Sequence, residues 1–151
     1  MYVRIIEKDR KNNIWKQVKL YRKEKRKFRV VDVYPFRDHK LFDILDEDDE
    51  YYALPPQIAD LPVALKNEIK YIEETPGYYG LKEINLADLK LYLYKVPKIR
   101  DYDYEDSDPK AWIDNPVKNF IEAIEQYIDF VDPYYSFCHT NSDIRIIYWF
   151  S

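Results

Sequence analysis

Apolar and polar residues alternate near both ends of this chain and recur with a helical period between them. Residues 2–7 carry the residue types of a strand, residues 9–13 are polar and turn-forming, and residues 14–21 resume with strand types, which predicts a β-hairpin. Residues 22–27 read as a charged connector. Residues 28–34 alternate as a third strand, ended by Pro35, which has no N–H for a ladder. Near the other end, Ile144, Ile146, Tyr148 and Phe150 share one face, with Arg145, Ile147 and Trp149 on the other. Large apolar groups on both faces predict a central strand.

Between these strands the period changes. Asp38 caps a short helix to residue 45, with Leu41, Phe42 and Leu45 on one side. Asp60 and Pro62 open a second helix, to about residue 74, with the stripe Leu61, Leu65, Ile69 and Ile72. Residues 81–84 read as a short strand or bridge. Asn85 caps a helix with Leu86, Leu89 and Leu93 on one side, and residues 97–110 read as loop. Asn115-Pro116 opens the longest helix, to about residue 131, with Phe120, Ile124, Tyr127, Ile128 and Val131 as its apolar face. The expected fold is α+β, in a single domain spanning 1–151. A small antiparallel sheet is formed by the N-terminal hairpin, or three strands, plus the C-terminal strand, with about three helices on one face.

Composition narrows the chemistry. Two glycines stand where about ten are usual. Phosphate-cradling loops need glycine for close backbone approach, so no Walker-type loop or dinucleotide fingerprint is present. Cys138 is the only cysteine, which excludes an internal disulfide and a thiolate zinc site. Cys138 and His139 are neighbours and on a strand would point apart, so they make no nucleophile–base pair. No catalytic motif and no cofactor site stands out, and the expectation is a binding protein rather than an enzyme. No stretch approaches a membrane span or a signal peptide, so a cytoplasmic protein with no membrane partner is expected. Sixteen Tyr, seven Phe and three Trp supply rings for a core and for a contact surface.

Charge is divided along the chain. Residues 1–40 hold 14 Lys/Arg against 5 acids, whereas residues 41–151 hold 10 against 23. A basic and an acidic surface are expected, each suited to a partner of opposite charge. Three candidate sites follow. Arg37, Asp38 and His39 lie between a strand and a helix start, where free N–H groups favour anions. Arg145, with Trp149 on the same face of its strand, would complete an anion or nucleotide pocket, unless Arg37 or Arg145 is held in a structural ion pair. Asp46, Glu47, Asp48, Asp49 and Glu50, with Asp101, Asp103, Glu105, Asp106 and Asp108, form an acidic surface interspersed with tyrosines. The first of these runs lacks the turn glycine and closing Glu of a calcium loop, so it reads as surface rather than as a metal site. Arg22, Lys23, Lys25, Arg26 and Lys27 form a basic surface flanked by Tyr21 and Phe28, a mixture suited to phosphates and bases.

Some segments resemble small uncharacterised proteins encoded by bacteriophages and prophages. Residues 36–45, Phe-Arg-Asp-His-Lys-Leu-Phe-Asp-Ile-Leu, resemble an Arg-Asn-Tyr-Asp-Leu-Phe-x-x-Leu pattern of that group, with Asp38 and His39 in place of Asn and Tyr. Pro55-Pro56 stands where the group has a Gly-Leu-Pro loop. Residues 79–89 are similar to its His-Ser-x-Ser-Trp-Leu-Thr-Leu-x-Glu-Leu segment, without the His-Ser-x-Ser-Trp element. Residues 144–150, Ile-Arg-Ile-Ile-Tyr-Trp-Phe, resemble its closing Val-Arg-Ile-Val-Phe-Trp-Phe strand. The resemblance implies a phage setting and no mechanism. The leading expectation is therefore a phage accessory protein that binds a host protein, such as a defence or nucleic-acid-handling protein, through its acidic, Tyr-rich surface. A nucleotide-binding domain using Arg37, His39 and Arg145 is the first alternative. RNA or DNA binding through residues 19–29 is the second.

Overall fold

The computed structural model describes residues 1–9, 11–35, 39–47, 53–99, 116–133 and 141–151. The fold is α+β. The strands are β1 (Tyr2–Asp9), β2 (Ile14–Val18), β3 (Tyr21–Glu24), β4 (Lys27–Val30), β5 (Tyr79–Asn85) and β6 (Ile144–Phe150). The helices are α1 (His39–Glu47), α2 (Val63–Glu74), α3 (Leu86–Ile99) and α4 (Pro116–Val131), and a short 3-10 turn precedes β6. No helix among the described residues is long and apolar enough to cross a membrane.

Four strands form one antiparallel sheet in the order β2-β1-β6-β5. The expected β1–β2 hairpin is present. Its turn is organised by Asp9, whose carboxylate accepts from the Lys11 and Asn12 amides, and Asn13 sits at φ 55°. β6 lies in the interior of the sheet, and all seven of its residues are buried. Ile5 and Ile84 both pair with Ile146, so three isoleucines form one row across the central strands.

Both faces of this sheet are covered. Ile144, Ile146, Tyr148 and Phe150 pack with Val3 and Ile5 against Leu41, Ile44 and Leu45 of α1, Leu86, Leu89 and Tyr92 of α3, and the apolar stripe of α4. Three helices thus share one face, as the pattern implied. α2 takes the other face, where Leu65, Ile69 and Ile72 meet Ile6, Ile147 and Trp149. The reason lies in β6 itself: Ile147 and Trp149 would face water without this second cover.

Five local expectations change. Residues 22–27 are not a connector; with their neighbours they form a separate two-stranded ribbon, β3–β4. The strand expected over 28–34 stops at Val30, because Val33 and Tyr34 turn inward and Tyr34 meets Phe120 edge-on at 5.2 Å. β5 is a full edge strand, with a register shift between Tyr79 and Lys82 that breaks its alternation. Leu54 covers part of that edge through paired backbone bonds with Glu83. At the helix starts, Asn85 caps α3 as expected, accepting from the Asp88 amide at 2.7 Å. Asp60 does not cap α2, whose N-cap position is Pro62. α3 continues past Pro97 to Ile99, although Pro97 has no N–H for the bond to the carbonyl four residues back.

Gly80, in the register shift of β5, sits at φ 63°. A Cβ there would lie 2.7 Å from Phe150 and 2.9 Å from an Asp46 carboxylate oxygen. Gly80→Ala is therefore expected to lower stability by about 1–3 kcal/mol through overpacking and backbone strain. Urea denaturation measures this; an unchanged midpoint would refute the assigned close approach.

Candidate functional site

Arg145 is the only cation in β6, and it is 7 % exposed. Its Nε donates to Glu83 Oε1 at 2.6 Å, Nη1 to Asp60 Oδ1 at 2.8 Å, and Nη2 to the Gln57 carbonyl at 2.7 Å. Nη2 also lies 2.6 Å from Glu83 Oε1, and the guanidinium sits 4.8 Å from the centroid of the Trp15 ring. A buried guanidinium loses several kcal/mol of hydration, which only such a set of partners offsets. The network fastens the segment before α2 to β5 and β6. Asp60 serves here instead of capping a helix.

Arg145 is therefore held by the protein's own carboxylates, the ion-pair alternative raised by the sequence. Trp149 is also inside, stacked on Tyr2 at 5.4 Å with Arg4 5.0 Å from its ring centroid. Arg4 in turn forks onto Glu68 of α2, at 2.6 and 3.1 Å. Arg145 and Trp149 belong to the α2 face, whereas α1, which His39 opens, packs on the opposite face. Arg37, Asp38 and the His39 side chain lie outside the described residues. Among the described residues no anion pocket is assembled from this set.

Of the acidic candidates, Asp46 is described. Its carbonyl and that of Leu45 accept from Lys82 Nζ at 2.9 and 3.0 Å, and its carboxylate lies 3.9 Å from the same nitrogen. Asp48, Asp49, Glu50, Asp101, Asp103, Glu105, Asp106 and Asp108 lie outside the described residues, as does the Glu47 side chain. Cys138 and His139 do too. Among the described residues no group of three His, Cys, Asp or Glu side chains could hold a metal.

The basic candidates form the most distinctive surface. Tyr21 pairs with Val30, Arg22 with Arg29, Lys23 with Phe28 and Glu24 with Lys27, and Lys25-Arg26 make the turn with Lys25 at φ 56°. No residue of β3 or β4 is buried; Phe28 is 70 % exposed and Tyr21 56 %. The ten residues carry six cations and one acid. That acid, Glu24, is shared by Arg22 and Arg29, the latter at 3.4 Å. Lys23, Lys25, Arg26 and Lys27 have no acidic partner among the described residues. Lys25, Arg26, Lys27 and Arg29, with Glu24, line a recess of about 600 Å³.

An isolated two-stranded ribbon is marginal in water. This one is held at its base by Tyr127 of α4. Val31 donates directly to the Leu20 carbonyl at 2.7 Å. The other half of that rung passes through the Tyr127 hydroxyl, which accepts from the Leu20 amide at 2.8 Å and donates to the Val31 carbonyl at 2.9 Å. Burial pushes the phenol above its ordinary value of 10.0, so it keeps the proton it donates at neutral pH. The sequence placed Tyr127 in the helix stripe, but no local signal marks what its hydroxyl meets. The partners of Arg145 were equally hidden, although a lone cation in an apolar strand signals that partners exist.

No protein-family model, curated protein or solved structure matches the chain.

Two substitutions check these assignments. Arg145→Met leaves Glu83, whose side chain is only 12 % exposed, without its cation and should cost about 3–5 kcal/mol in urea unfolding, with Glu83→Leu added to it recovering most of the loss. Loss below 1 kcal/mol, roughly the value of an exposed pair, would contradict the network. Tyr127→Phe should cost about 1–3 kcal/mol and speed amide exchange at Leu20. The phenol's raised value means its stabilisation is complete below pH 10.0 and is lost as pH rises through the folded value, so the difference between the two proteins should shrink above pH 10.0. A pH-independent difference would remove this role.

Proposed function

We propose that this protein is a nucleic-acid-binding module and that the β3–β4 ribbon is its contact surface. The observation that carries this reading is a ribbon with no buried residue that concentrates six cations and two exposed rings. A hairpin serving only as a connection gains nothing by exposing Phe28, and its like charges repel one another. A phosphate backbone resolves both: it neutralises the cations, and counterion release supplies affinity. A two-stranded ribbon also fits nucleic-acid grooves. The excess of acid elsewhere in the chain confines contact to this surface and opposes nonspecific wrapping of duplex.

The reading as a phage accessory protein that blocks a host protein through an acidic, Tyr-rich surface draws mostly on segments outside the described residues. Asp46, its described member, faces Lys82. The nucleotide pocket requires Arg145, whose donors are occupied. The ribbon is thus the preferred surface.

Replacing Lys23, Lys25, Arg26 and Lys27 together by Ala should weaken oligonucleotide binding by roughly tenfold or more and flatten its salt dependence, each lost phosphate contact lowering the log–log slope by about 0.7–0.9. Fluorescence anisotropy across a salt series measures both. The melting temperature should be nearly unchanged, because these side chains are exposed. Equal affinity and slope in the variant would remove the ribbon from the interface.

A further inference from the structure

We infer that the ribbon's ligand is single-stranded, with an unpaired base seated between Tyr21 and Phe28; this rests on the reading of the ribbon as a nucleic-acid surface. The pairing register puts Tyr21, Lys23, Phe28 and Val30 on one face and Arg22, Glu24, Lys27 and Arg29 on the other. Tyr21 and Phe28 are diagonal neighbours on opposite strands, a relation that sets the two residues about 7–8 Å apart, and their Cβ atoms somewhat less. A base between two rings needs about 6.8 Å, twice the roughly 3.4 Å base spacing along a strand. A separation of that order matches one planar base held between two parallel rings.

Neither ring is stacked on another aromatic ring among the described residues, and both are more than half exposed. Their π-faces are open. Glu24 is shared by Arg22 and Arg29, which shifts uncompensated positive charge toward Lys23 and the turn residues Lys25 and Arg26. A strand crossing the turn can set its phosphates against these cations and lay its bases on the Tyr21–Phe28 face. In a duplex each base face is already covered by its neighbours, so the two rings would have nothing to stack on. Sequence preference should be weak, since every base offers a π-face.

The test uses the full chain and fluorescence anisotropy with labelled oligo-dT, oligo-rU and a duplex of equal length. The wild type should bind the single strands at least tenfold more tightly than the duplex. Tyr21→Ala and Phe28→Ala should each weaken single-strand binding roughly tenfold and leave duplex binding unchanged. Phe28→Trp keeps a ring; it should retain single-strand affinity, and the fluorescence it adds should be quenched on binding. Equal affinity for duplex and single strand, or ring variants that bind single strands normally, would overturn the stacking assignment while leaving the cationic ribbon in place. Absence of binding to any of the three probes would overturn the nucleic-acid reading itself.

Discussion

A strand buried on both faces must be covered twice, and β6 imposes that condition on the whole chain. Its residues alternate between two cores, so the sheet cannot leave one side to water as many antiparallel sheets do. One cover is the group α1, α3 and α4; the other is α2. The single charged residue in the strand then needs its own solution. Arg145 obtains it from Glu83, Asp60 and the Gln57 carbonyl, with the Trp15 ring beside it. The same contacts fix the segment that enters α2, so the guanidinium positions the cover that buries it. Arg4 repeats the device on β1, joining Glu68 to Trp149.

The ribbon stands apart from this scheme. It pairs with none of the four sheet strands and contributes no buried residue, so its composition is free of the packing that constrains the rest. Its position is nonetheless defined, because the Tyr127 hydroxyl completes the rung at its base. A hydroxyl that accepts from one ribbon strand and donates to the other ties both to α4. The charged segment is thereby presented as an ordered surface, an arrangement that would reduce the entropy lost on binding the proposed ligand.

Much of the fold was legible because alternation and helical stripes are local consequences of burial. Ile144, Ile146, Tyr148 and Phe150 announced a central strand, and Leu61, Leu65, Ile69 and Ile72 announced a helix; all are buried as expected. The errors fall where tertiary contacts outweigh local pattern. β5 was hard to recognise because Gly80 lies in a register shift, and that glycine answers to Phe150, 70 residues away. The alternation over 28–34 belongs partly to a ribbon and partly to a chain turning into the core, a division that Tyr34 makes by meeting Phe120. Asp60 looked like a cap because Asp is a favoured N-cap residue and Pro62 follows two residues later, as at many helix starts. Its real partner is 85 residues distant. Of the candidate surfaces, the basic segment and its flanking rings could be read directly. That they form a ribbon with separate polar and aromatic faces depends on a register that composition does not reveal.

The proposed contact lies on one surface, and hydrogen–deuterium exchange with and without a saturating single-stranded oligonucleotide tests that placement most directly. Ribbon amides should gain protection between Leu20 and Val31, while β6 and α2 exchange as before. Protection confined to other segments, with the ribbon unchanged under saturation, would contradict it.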